Sequence, residues 1–319
     1  MGGELTRQLH VRVLDIFIAI FVLTLCGCTT VQRGMHMYSR EAPQPVVFTY
    51  KDGGSSVYYA FNVNSELPLD TVLFFYGGTG CPSWKSVMPE YVDGLTIHAH
   101  ILVLNKRFVS DRSTGMFDCG QDFKLANNPQ QWVSDYSEFI TAQLGLMPLK
   151  PKNVVLVAVS EGVYPAARVA SINPNVTHLA IIGGGGYSMR QSLDTLKQKG
   201  LISFDVNAGW AKITSDPRST GKSWYGNPYR WWSDIMDIDP LEDFLKLNIP
   251  ILVGIGEQDH STPVESARFL KSIFVEAGKS NLTLKVYPGA DHRLNGNGAS
   301  YRQVFFRTLS CQLHSDSAC

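Results

Sequence analysis

Short apolar runs recur along the chain, separated by stretches with helical periodicity. Thr71–Tyr76, Ile101–Leu104, Val154–Ala158, Leu179–Ile182, Ile251–Ile255 and Leu282–Tyr287 are almost unbroken in apolar, often β-branched residues. Runs of this length and composition fit strands buried on both faces of a parallel sheet. Earlier, Val46–Tyr50 and Val57–Val63 flank Asp52-Gly53-Gly54, a turn signal, and predict an opening hairpin. Apolar residues at helical spacing run through Trp132–Leu144, and Ala167–Ala170, Pro263–Ala277 and Ser300–Leu309 belong to further helices. Strands alternating with helices predict the α/β class, a mostly parallel central sheet flanked by helices and joined by right-handed crossovers.

Residues 186–247 break this rhythm. They hold helical pieces but no clear buried strand, and they concentrate Trp210, Trp224, Tyr225, Tyr229, Trp231 and Trp232. An insertion between two core strands predicts a helical cap or lid. Most of these aromatics are expected to pack the cap onto the core. Trp224, Tyr225, Trp231 and Trp232, together with Tyr76 from the sheet, are candidates for lining a substrate pocket. The expected organisation is a core in two parts, 45–185 and 248–310, with the cap between them and a polar tail at 311–319.

The N-terminus has the features of an export signal. Arg7 and Arg12 precede an apolar stretch, Ile16–Leu25, which is too short to span a bilayer and is bounded by Asp15. A retained anchor or a buried N-terminal helix is the alternative. Leu25-Cys26-Gly27-Cys28 resembles the bacterial lipobox, in which cleavage precedes a cysteine that becomes acylated. The resemblance implies a signal peptide over 1–27 and a lipid on Cys28, with Cys26 the poorer candidate. Residues 28–44 would then be a tether holding the protein on a membrane at the periplasmic face of the cell envelope.

Charge and cysteines narrow the reading further. The 28 Lys and Arg balance the 28 Asp and Glu, and no basic run is present, so nucleic acid is not an expected partner. Neither an internal repeat nor a low-complexity tract occurs. Of six cysteines, Cys81, Cys119, Cys311 and Cys319 remain after export and lipidation. An even number in an exported chain favours disulfides, and four cysteines allow three pairings. Cys81–Cys119 and Cys311–Cys319 are the preferred ones. The first would join two loops after strands, and the second would pin the tail.

Four segments carry candidate chemistry. Val154–Val159 runs into Ser160-Glu161-Gly162 and then into a helical stretch, giving a small-x-Ser-x-Gly turn at Ala158 to Gly162. This resembles the nucleophile elbow of the α/β-hydrolases, with Ala158 in place of the usual first glycine. Phe74-Phe75-Tyr76-Gly77-Gly78-Thr79-Gly80 resembles the glycine-rich loop that follows an earlier strand in that family, with Tyr76 where His is usual. No Gly-Lys-Ser/Thr follows it, which argues against a Walker-type phosphate loop. Gly256-Glu257-Gln258-Asp259 after the Ile251 strand resembles the family's acid-bearing turn, with Glu257 an alternative acid. Pro288-Gly289-Ala290-Asp291-His292 after the last strand resembles the turn that carries the histidine.

The order Ser, Asp, His is that of the α/β-hydrolases and differs from chymotrypsin and subtilisin. The resemblance covers roughly residues 45–310. It implies an α/β-hydrolase fold and a triad of Ser160, Asp259 and His292. It also implies an oxyanion hole made by the backbone N–H groups of Glu161 and of Gly78 or Thr79. Each such donor is worth roughly 3 kcal/mol in the transition state. The implied activity is that of a serine hydrolase acting on a small-molecule carboxylic ester or thioester, with no metal or cofactor. Amide cleavage, acyl transfer, and a non-catalytic envelope binding protein on the same fold are the alternatives.

Overall fold

The computed structural model describes residues 43–62, 70–92, 95, 99–115, 119–296 and 298–314. The expected signal peptide, Cys28, most of the tether and Cys319 lie outside the described residues.

Eight strands form the central sheet: β1 (Val46–Thr49), β2 (Ser55–Asn62), β3 (Thr71–Tyr76), β4 (His100–Leu104), β5 (Asn153–Val159), β6 (His178–Ile182), β7 (Ile251–Gly256) and β8 (Leu282–Tyr287). Their spatial order is β1-β2-β4-β3-β5-β6-β7-β8. β2 pairs antiparallel with β1 and with β4, and every other pairing is parallel. The β1–β2 hairpin turns at Asp52-Gly53-Gly54, where Gly53 takes φ +83°, a conformation open to glycine without strain.

The period-2 alternation of the strands divides the core into two layers. From β3 and β5, Phe74, Tyr76, Leu156 and Ala158 face one side. There they meet helices α3 (Pro129–Leu146), α4 (Val163–Ile172) and α9 (Val264–Glu276), through Phe139, Ala166 and Leu270 among others. Leu73, Phe75, Val155 and Val157 face the other side, against α1 (Trp84–Val92) and the C-terminal α10 (Arg302–His314), through Met88, Phe305 and Phe306. Burial on both faces is why these strands read as continuous apolar runs. α3 begins on Asn128, whose side chain accepts from Gln131 N–H at 2.8 Å, with Pro129 in the first turn where its missing N–H is harmless. The short α2 (Gln121–Ala126) precedes it.

Between β6 and β7 the chain forms α5 (Met189–Gln198), α6 (Val206–Ser215), α7 (Tyr229–Ile235) and α8 (Leu241–Lys246). A two-residue ladder, Ser223–Trp224 against Asn227–Pro228, lies between α6 and α7. α5 starts with a capping box made by Ser188 and Gln191. Leu193, Val206, Ile213, Trp231, Trp232, Ile235 and Met236 make a separate apolar cluster. α8 instead contributes Phe244 to the main core.

Cys81 and Cys119 form a disulfide with Cα atoms 5.7 Å apart, as the sequence led us to expect. Cys311 is also disulfide-bonded.

Candidate active site

β5 ends at Val159, and the next residue leaves the sheet abruptly. Ser160 has φ +55°, a left-handed conformation that a non-glycine residue holds only where its surroundings enforce it. A single 3₁₀ turn, Ser160–Gly162, then leads into α4. Gly162 has an ordinary φ of −60°, so backbone freedom is not what it supplies. A Cβ there would lie 2.5 Å from the carbonyl oxygen of Gly77. The turn needs glycine because the loop after β3 passes directly over it.

That loop is placed by the sheet. β3 and β5 are neighbours with Tyr76 opposite Ala158, so the residues after each strand meet. A Cβ on Gly77 would lie 2.2 Å from the Trp84 indole, and one on Gly78 would lie 3.3 Å from Ser160 Cβ and 3.8 Å from its Oγ. Gly78, Thr79 and Glu161 all line the space in front of Ser160.

β7 and β8 supply the other half. Asp259 is buried, and its Oδ1 accepts from the N–H groups of Ser261 and Thr262, at 2.8 Å each. Its Oδ2 lies 2.7 Å from His292 Nδ1. With the proton on Nδ1, His292 donates to Asp259 and leaves Nε2 as an acceptor. The histidine loop is held by Asp291, whose Oδ1 accepts from Arg293 N–H at 2.9 Å and Asn295 N–H at 2.8 Å. A Cβ on Gly256 would fall 2.3 Å from the carbonyl oxygens of Ala290 and Asp291, so the acid and histidine loops pack without a gap. A Cβ on Gly183, at the end of β6, would lie 2.9 Å from His292 Cε1. The alternative acid, Glu257, is half-exposed and lies 3.8 Å from Arg268.

Ser160 and His292 face one cavity of about 620 Å³. Tyr225, Trp231 and Trp232 line it as expected, whereas Tyr76 and Trp224 do not. Tyr76 is wholly buried and stacks on Tyr136 with ring centroids 3.6 Å apart, because strand alternation turns it onto the α3/α4 face. Trp224 packs beneath α6, where Gly209 leaves room for its indole, and its carbonyl accepts from Trp232 Nε1 at 2.6 Å. Trp84, Tyr91, Tyr164, Tyr187, Phe204 and Arg293 also line the cavity and were not singled out from sequence. Adjacency to the motifs could have flagged Tyr164 and Arg293, which follow the elbow and His292. Among the described residues, no group of three or more His, Cys, Asp or Glu side chains is arranged to hold a metal ion.

Two buried charges lie behind the elbow. Glu161 is 4% exposed, and its Oε1 accepts from Trp231 Nε1 at 3.0 Å. Lys106, in the loop after β4, places its Nζ 3.5 Å from the centre of the Trp132 ring. Burial pushes its ammonium down to about 8, against the opposing pull of Glu161.

The dienelactone hydrolase family profile matches residues 219–303, a stretch that carries Asp259 and His292. No curated protein matches the chain in sequence. The backbone resembles Est1E from Butyrivibrio proteoclasticus with a TM-score of 0.60 at 13% identity, covering 85% of this chain and 99% of that one. It resembles the esterase Pf2001 from Pyrococcus furiosus with a TM-score of 0.52 at 16% identity, covering 85% and 90% respectively. The chain has the α/β-hydrolase fold. A third structure, an α/β serine hydrolase homologue from Coxiella burnetii, gives a TM-score of 0.51 at 16% identity, over 83% of this chain and 97% of that one. In this fold the three candidate residues stand just past the C-terminal ends of β5, β7 and β8, where open α/β sheets place their ligands. The family match, over part of the chain, is to a hydrolase family, and the neighbours share the fold.

Proposed function

We propose that the protein is a serine hydrolase that cleaves a carboxylic ester or thioester through an acyl-enzyme on Ser160. The observation that carries this reading is the buried Asp259 2.7 Å from His292, which opens onto the same cavity as a left-handed Ser160. His292 Nε2 takes the Ser160 hydroxyl proton as Oγ attacks the acyl carbon. Asp259 holds the imidazole and stabilises the imidazolium. The carbonyl oxygen becomes an oxyanion that accepts from the N–H groups of Glu161 and of Gly78 or Thr79. Collapse expels the alcohol or thiol, which takes the proton from His292. A water then attacks the acyl-enzyme with His292 again as base, releasing the acid and restoring Ser160.

In the same reading, residues 186–247 form the cap that covers the cavity. The mature chain starts at an acylated Cys28 and sits on a membrane surface of the cell envelope. The test of the chemistry is labelling with a fluorophosphonate probe and a panel of p-nitrophenyl esters. The wild-type protein is expected to label and turn over, and Ser160→Ala to do neither while keeping its circular dichroism spectrum. Near-full turnover by Ser160→Ala would refute the mechanism.

A further inference from the structure

Glu161 occupies the cavity wall twice. Its backbone N–H belongs to the turn beside Ser160, and its side chain runs back into the protein. A buried carboxylate is destabilising unless hydrogen-bonded or paired. Here Oε1 accepts from the Trp231 indole N–H of α7 at 3.0 Å, with both side chains buried. Among the described residues Oε2 has no hydrogen-bond partner, and neither has the buried Lys106 Nζ. Lys106 Nζ is compensated by the face of the Trp132 ring, 3.5 Å away, and by electrostatic attraction to Glu161. Trp231 is itself locked by its edge-on packing against Trp232, with centroids 4.7 Å apart.

Two elements therefore meet at one carboxylate, the segment between β6 and β7 through Trp231 and the elbow through the backbone of Glu161, and Lys106 of the loop after β4 acts on it electrostatically. Loss of this anchor would leave the peptide unit that follows Ser160 with one restraint fewer. An oxyanion donor is sensitive to such a change, because misplacement by about 1 Å is enough to lower rate 10²-fold.

We propose that Glu161 is a positioning residue whose carboxylate, held by the Trp231 indole N–H, fixes the amide beside Ser160 in its donating orientation. This rests on the acyl-enzyme reading above. It makes placement of the cap and alignment of the oxyanion donor a single event.

The test uses full-length protein and p-nitrophenyl acetate, with active sites counted by exhaustive fluorophosphonate labelling so that misfolded protein does not enter kcat. Glu161→Ala is expected to lower kcat per labelled site by roughly 10- to 100-fold, with KM changed less than about threefold, as for an interaction made only in the transition state. Glu161→Gln keeps an acceptor for Trp231 and should stay within about fivefold of wild type. Trp231→Phe removes the donor and keeps most of the ring, and should lower kcat in the same way. The double variant Trp231→Phe/Glu161→Ala should be no worse than Glu161→Ala alone. Unchanged kcat per site in Glu161→Ala, additive effects in the double variant, or Gln as damaging as Ala would each overturn the proposal. If Glu161→Ala does not fold, Glu161→Gln and Trp231→Phe still decide it. A wild-type protein that neither labels nor turns over would instead remove the reading on which the proposal stands.

Discussion

Lys106 shows how a single side chain can record its environment in the pH dependence of stability. Its folded-state value, about 8, lies below that of an ordinary lysine because burial disfavours the ammonium. The unfolded chain therefore binds the proton more tightly between pH 8 and about 10.5, and over that window Lys106 makes unfolding harder as pH rises. Relative to Lys106→Met, which cannot titrate, the wild type should gain roughly 2–3 kcal/mol in unfolding free energy between pH 7 and 10. Urea unfolding of both proteins at several pH values checks this, and a pH-independent difference would contradict it. Tyr76 and Tyr136, whose hydroxyls burial also perturbs, act in the opposite sense at higher pH, but equally in both proteins. The role of Lys106 was not legible in sequence, because nothing local distinguishes a buried lysine in a loop from an exposed one. The turns that carry Ser160, Asp259 and His292 were legible because each follows a strand and tolerates few residue types. Gly162, Gly77 and Gly256 are glycines for steric reasons that the structure specifies. Tyr76 was misjudged by motif position, although its period-2 relation to Phe74 already placed both on one face.

At the scale of elements, the strands were the most legible feature, because burial on both faces leaves an apolar signature that needs no partner to interpret. The structure lengthens them by a residue or so: β4 begins at His100 and β5 runs from Asn153 to Val159. The two-residue ladders and the 3₁₀ turn at Ser160 were beyond reach, since one or two residues carry no periodicity. One such ladder pairs Cys81 with Gly115 and Pro82 with Thr114, directly after the glycine loop, and the Cys81–Cys119 disulfide reinforces it. The bridge closes a loop with a sequence separation of 38 residues. In the chain-entropy model such a closure stabilises by roughly 3–4 kcal/mol. Replacing both cysteines with serine should lower unfolding free energy by up to that amount, and should lower kcat as well because Gly78 and Thr79 lie just before the bridge. Unfolding curves with the remaining cysteines unchanged, together with steady-state kinetics, test both parts.

For the whole molecule, no described helix is long and apolar enough to cross a membrane. Membrane attachment in our reading therefore depends on the N-terminal segment. Mass spectrometry of protein extracted from membranes should find a mature chain beginning at an acylated Cys28, and an unmodified chain starting at Met1 would refute this. The β6–β7 segment leaves and re-enters the core at adjoining points. Gly186 N–H donates to the Ser266 carbonyl at 3.0 Å, and a Cβ on Gly186 would lie 2.9 Å from Leu241. Within the segment, Arg190 N–H donates to the Met236 carbonyl at 3.0 Å. A loop whose ends already touch can change length with little entropic effect on the rest of the chain. The segment is therefore suited to exchange as a cassette: a lineage could alter the lining of the cavity by replacing everything between Gly186 and Leu241 while leaving the sheet untouched. The constraint on such an exchange is chemical rather than topological, because each incoming cassette would have to bring a donor to the carboxylate of Glu161.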